Sequence, residues 1–148
     1  VLLIVGCGPG DALYEQKAEP EAFMLSFQKP EVFEFTIEEA GEYNFGLELE
    51  YFSEQMQDMN GQIPMYYILE GPGLGDGKDR KFTVQVKEDS GEWKGELMDN
   101  EHDRVFETMF ETGIELQAGA HKLKLYADSD QEGTPVQGIV TLIFRLYQ

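Results

Sequence analysis

The sequence predicts an all-β fold, one antiparallel β-sandwich of jelly-roll-like form with about eight or nine short strands. Three observations predict it. Apolar and polar residues alternate with period two in one stretch after another, as they do along half-buried strands. Turn signals rich in Gly, Asp and Asn separate those stretches. Aromatics make up 12% of the 148 residues, which suits a pleated, half-buried surface. No segment shows a convincing helical period.

The chain opens on Val1 to Gly6, a continuous apolar run. It is too short to span a bilayer and reads as residual signal peptide (1–6), the end of an apolar region that starts upstream. The run closes on Ile4-Val5-Gly6-Cys7, which resembles the bacterial lipobox. In lipobox proteins the Cys thiol takes a diacylglyceryl group and becomes the new N-terminus, so Cys7 is the expected lipidation site. The competing reading is a buried first strand with a free thiol. Cys7 is the sole cysteine and directly follows a small residue, and Gly8-Pro9-Gly10-Asp11 breaks any regular element. Those features favour the lipobox. Residues 7–22 then form the lipidated Cys and a polar tether, and 23–148 the sandwich domain. The implied location is the cell envelope, on the periplasmic side or the cell surface.

Strands are read from Phe23 onward. Phe33, Phe35 and Ile37 alternate with Glu34 and Thr36. After the Ala40-Gly41 turn, Tyr43 to Tyr51 alternates between apolar and mostly acidic positions. Pro64 to Leu69 lacks alternation and is expected to be buried on both faces. The glycine-rich stretch 71–77 is a loop. Residues 82–86 form the next strand, and Asp89-Ser90-Gly91 turns towards Trp93. Two further strands are expected at 105–110 and 114–116. Leu123 and Leu125 alternate with Lys122 and Lys124, and Ile139 to Leu146 reads as a central strand. Residues 52–61 are the one place for a helical turn.

With 29 acidic and 11 basic residues the net charge is −18. Such a surface repels phosphate backbones, so nucleic acid is excluded as a partner. The charge also keeps the domain soluble. One cysteine excludes an internal disulfide and a multi-Cys zinc site. There is no Gly-x-Ser-x-Gly elbow, and the two histidines, His102 and His121, stand alone. Nothing marks an enzyme, and no cofactor is expected beyond a calcium candidate. That candidate is Asp128, Asp130 and Glu132, which open like a calcium loop with Gly133 at the sixth position. Position 12 is Ile139, where such loops carry a bidentate Glu, so a plain acidic connection competes. Trp93, Tyr66, Tyr67 and Tyr126 are candidates for glycan binding through exposed aromatics. Core packing explains Trp93 equally well.

Around residue 80 a family resemblance enters. Asp79-Arg80-Lys81-Phe82-Thr83-Val84 and Gly91-Glu92-Trp93-Lys94-Gly95 resemble the middle region of GldH-type gliding-motility lipoproteins of Bacteroidota. The Gly-Ala-His-Lys-Leu-Lys-Leu strand at 119–125, the closing apolar strand and the Phe35-to-Leu49 hairpin fit as well. Two features depart from it: no Trp precedes the first core strand, and Glu50-Tyr51-Phe52 stands where an Arg is usual. The resemblance implies a membrane-anchored, non-enzymatic component of gliding and type IX secretion machinery. Its partners would be other envelope proteins, with contact to the membrane through the lipid anchor. It supplies no catalytic residues.

Overall fold

The computed structural model describes residues 11–128 and 136–148. Eleven strands follow one another: β1 (Tyr14–Ala18), β2 (Met24–Leu25), β3 (Glu31–Ile37), β4 (Gly41–Phe52), β5 (Gln62–Glu70), β6 (Lys78–Gln85), β7 (Glu96–Leu97), β8 (Asp103–Leu116), β9 (Gly119–Ala127), β10 (Val136–Gln137) and β11 (Ile139–Tyr147). Three of them, β2, β7 and β10, are two-residue fragments. The eight longer strands, with β7 on one edge, build two antiparallel sheets, ordered β1-β11-β4-β8-β7 and β3-β9-β5-β6. Among these eight, only β5 and β6 are consecutive in the chain and adjacent in a sheet; every other connection crosses between sheets. That winding is a jelly roll, as expected from the sequence.

Period-two sequences make the sheets because each strand has one face to bury. Along β3 the buried positions are Phe33, Phe35 and Ile37; along β4 they include Tyr43, Phe45, Leu47, Leu49 and Tyr51. The two faces meet across the sandwich. Phe35, Phe45 and Phe33 each lie 5.3–5.5 Å from the Phe144 ring of β11. Tilted and edge-on ring pairs of this kind add to the burial of the rings themselves.

Four expectations need correction. The Phe35-to-Leu49 segment is an arch between the two sheets, because its two apolar faces cover each other across the core. Strand β5 alternates, with Ile63, Met65, Tyr67 and Leu69 buried and the intervening residues only half-buried, since one of its faces is open. Residues 105–110 and 114–116 belong to the single strand β8. Its register against β4 slips twice, between the partners of Tyr43 and Phe45 and between those of Phe45 and Gly46. These bulges turn two consecutive residues, Phe110 and Glu111, inward. Finally, the expected tether contains β1, whose Tyr14, Gln16 and Ala18 pair with Leu146, Phe144 and Leu142. The helical turn is present at Ser53–Met59 as a 3₁₀ helix.

Candidate functional site

The jelly roll has two unlike ends. At one end lie the short connections: 38–40 and 117–118 pass between the sheets, and 71–77 joins β5 to β6 within one sheet. A cleft of about 850 Å³ opens there. Its walls come from the start of β1 (Leu13, Tyr14), the end of β3 and its turn (Phe35 to Glu39), the start of β9 (Ala120 to Lys122), Gly71 and the end of β11. The wall residues on β3 and β9 are placed by strand register. Phe35 pairs with His121, and Glu34 with Lys122.

His121 is the residue that marks this cleft. It follows the core parity of β9, so the fold buries it to 3% exposure. Its ring stacks on Phe35 at 5.5 Å and 13°. Nδ1 lies 3.0 Å from the Gly119 carbonyl oxygen. A carbonyl only accepts, so Nδ1 carries the proton and, in the neutral ring, Nε2 is the bare acceptor. Nε2 is buried without a partner, an uncommon state for a buried polar atom. It sits beside Gly71: a Cβ there would stand 2.8 Å from Nε2 and 2.3 Å from Cδ2 of the ring. Glycine at 71 is what gives the imidazole its space.

The cleft is also acidic. Glu34, Glu38, Glu39 and Glu70 line it, against one cation, Lys122. Lys122 Nζ lies 3.6 Å from Glu34 Oε1, and Glu70 is engaged by Lys124 at 3.0 Å. Burial, then Glu34, pushes the Tyr14 hydroxyl pKa up. Burial, then Glu39 and Glu38, does the same for Tyr43. These polar groups accept hydrogen bonds beside aromatic surface, an arrangement suited to holding a donor-rich ligand. Nothing in it is built as an activated nucleophile.

Among the described residues the opposite end is filled. Its long connections carry Met56 and Trp93 onto the core. The hydroxyl of Tyr51 lies 2.6 Å from the Lys94 carbonyl oxygen and 3.2 Å from that of Val86. Burial pushes its pKa up to about 12. Gly95 runs at φ +96°, and a Cβ there would stand 2.5 Å from the Val105 carbonyl oxygen. The Gly91–Gly95 turn therefore clamps the end of the sandwich.

The four aromatics proposed as a glycan surface are not brought together. Tyr67 is fully buried, so it is withdrawn as a surface residue; its hydroxyl donates to the Glu111 carboxylate at 2.5 Å, and Arg80 donates to the same carboxylate at 2.7 Å. Trp93 lies half-buried at the filled end, with Lys87 Nζ 4.6 Å from its ring. Tyr66 and Tyr126 stack on the open face of the β3-β9-β5-β6 sheet at 4.6 Å and 2°. Each covers a face of the other that a sugar would need. Of the calcium candidates, Asp128 faces Lys81 at 3.5 Å, while Asp130 and Glu132 lie outside the described residues, as does Cys7. Among the described residues no group of three metal-ligating side chains converges. His102 is exposed in its loop.

Sequence reading missed Tyr14 and the carboxylates at 38–39. The signal for Tyr14 was present: Tyr14, Gln16 and Ala18 alternate with Glu15, Lys17 and Glu19 in a stretch whose polarity suggested a tether.

No family model matches the sequence, and no curated protein does. Among solved structures, Eiger TNF from S. frugiperda is 8% identical, covers 90% of this chain and 85% of its own, and has a TM-score of 0.43. The CBM36-1 domain of a multidomain xylanase from the hindgut metagenome of Trinervitermes trinervoides is 11% identical, covering 88% and 96%, at a TM-score of 0.41. A family 35 carbohydrate binding module from Clostridium thermocellum is 12% identical, covering 90% and 89%, at 0.37. Likenesses this distant carry no argument about function.

Proposed function

We propose that this chain is a non-enzymatic carbohydrate-binding module of the cell envelope, with its sugar site in the cleft at the short-connection end. The observation that carries the reading is the bare, buried Nε2 of His121 on a cleft walled by Tyr14, Phe35 and carboxylates. A sugar hydroxyl supplies the donor that this nitrogen lacks, and ring surface supports the apolar faces of the sugar. The test is a panel of oligosaccharides followed by NMR, read at the His121 ring and the Tyr14 amide. Saturable shifts at both positions are expected. A panel that moves neither position, and leaves the melting temperature unchanged, overturns the reading.

A second reading rests on the Ile4–Cys7 sequence and the Gly91–Gly95 turn. In it the module is a lipoprotein held at the membrane through Cys7, acting as an accessory part of gliding and type IX secretion machinery through contacts with other envelope proteins. Several acyl chains hold a protein durably at a membrane. With β1 starting at Tyr14, the intervening chain reaches at most about 25 Å. Deletion of the gene with normal spreading and normal secretion sinks this second reading.

A further inference from the structure

We propose that the ligand of the cleft is a sugar bearing a free amine, recognised as an ammonium by Glu38 and Glu39; the proposal rests on the carbohydrate reading of the same cleft. Counting the charged groups on its walls, four carboxylates and Lys122, the cleft carries 1 − 4 = −3. Two of the carboxylates already have cations, Glu34 with Lys122 and Glu70 with Lys124. Glu38 and Glu39 have none within 4 Å among the described residues, and both are exposed on the β3–β4 turn. They are the wall's unspent negative charge.

An acidic turn alone specifies nothing on a chain of net charge −18. The second observation is His121, 3% exposed, with Nε2 unpartnered at the cleft wall beside Gly71. In the neutral ring its acceptor role follows from the contact of Nδ1 with the Gly119 carbonyl. The cleft thus asks for two things at once: a neutral donor directed at the imidazole and a positive charge at the turn. A sugar hydroxyl provides the first and a ring-borne ammonium the second. Uronates and other acidic sugars bring the wrong sign, and an N-acetylated amine brings no charge.

The experiment compares di- and trisaccharides of glucosamine, N-acetylglucosamine and galacturonate by calorimetry and NMR on the full chain. The free-amine sugar is expected to bind about tenfold more tightly than its N-acetylated form, the scale of two partly exposed ion pairs. That preference is expected to collapse in Glu38→Gln/Glu39→Gln and in high salt, while shifts at the His121 ring persist. The surface charge attracts any cation, so Glu92→Gln/Asp99→Asn, which removes two exposed acids from the filled end, serves as control and is expected to keep the preference. Equal affinity for free and acetylated sugars overturns the amine proposal and leaves the carbohydrate reading standing. A preference that survives loss of Glu38 and Glu39, or that falls equally in the control, also overturns it. No binding of any sugar removes both.

Discussion

The two ends of this jelly roll use the same strands and reach opposite outcomes. At the end with long connections, the chain brings its own side chains back over the core. Tyr51, Met56 and Trp93 fill the space, and the Tyr51 hydroxyl is satisfied by two backbone carbonyls. At the end with short connections there is too little chain to do this. The sheets remain parted, and His121 keeps a nitrogen without a donor. Connection length decides where a sandwich of this winding completes its own core and where it leaves room for something else.

The contrast is open to direct attack. Gly95→Ala strikes the filled end hardest, because the new Cβ meets the Val105 carbonyl in a backbone conformation that L side chains rarely adopt. A loss of about 3 kcal/mol is expected in urea unfolding. A loss below about 1 kcal/mol shows that the end is not rigidly clamped. Tyr51→Phe at the same end takes the hydroxyl from the Lys94 carbonyl, while the Val86 carbonyl keeps the Lys94 amide at 2.8 Å, and is expected to cost about 1.5 kcal/mol. At the open end, Gly71→Ala crowds the imidazole rather than the backbone. It should cost only about 1 kcal/mol, yet abolish the ligand-induced shifts at His121. Unaltered shifts in that variant separate the imidazole from the site.

A smaller effect belongs to Glu50, on β4 near the filled end. Burial, and then contact with Asp103, raises its pKa above the ordinary 4.5. A carboxyl raised on folding holds its proton more tightly in the folded state. Its favourable contribution is present below the ordinary value and is lost as pH rises towards the raised one. Glu50→Gln is therefore expected to melt higher than the wild type at pH 7, with the advantage shrinking towards pH 4. An advantage that is the same at both pH values rules out the titration of Glu50 as its source. For the lipoprotein reading, Cys7→Ala should abolish acyl labelling, and persistent labelling refutes the lipidation site.

Most of the architecture is readable from period-two alternation, because every long strand has one face to bury. Phe33, Phe35 and Ile37 declare that face directly. What alternation does not encode is which sheet a strand joins. The Phe35-to-Leu49 segment has the sequence of a hairpin and the geometry of an arch, and the difference lies in contacts with Phe144, about a hundred residues away in the chain. The bulges of β8 hid its continuity for the same reason, since a bulge breaks the period that identifies a strand. The site was less legible still. Aromatic residues were read as surface candidates by type, whereas burial assigns Tyr67 to the core and makes Tyr66 and Tyr126 cover each other. The parity of His121 was plain in the sequence; the absence of a partner for Nε2 is a property of packing.

The pairing of β1 with β11 has a mechanical side. Five residues of β1 lie in register with β11, and the Leu13 amide adds a bond to the Leu146 carbonyl oxygen at 2.7 Å. The chain enters this ladder at the open end and runs towards the filled one. Tension applied ahead of Leu13, with the body gripped at the far end, is directed along the strand. The rungs then share the load in shear and must give way together, where a sideways pull would unzip them singly. Rupture under such tension is governed by the rate of unfolding rather than by the folding equilibrium. The first strand thus meets a pull from its N-terminal side with all its rungs at once.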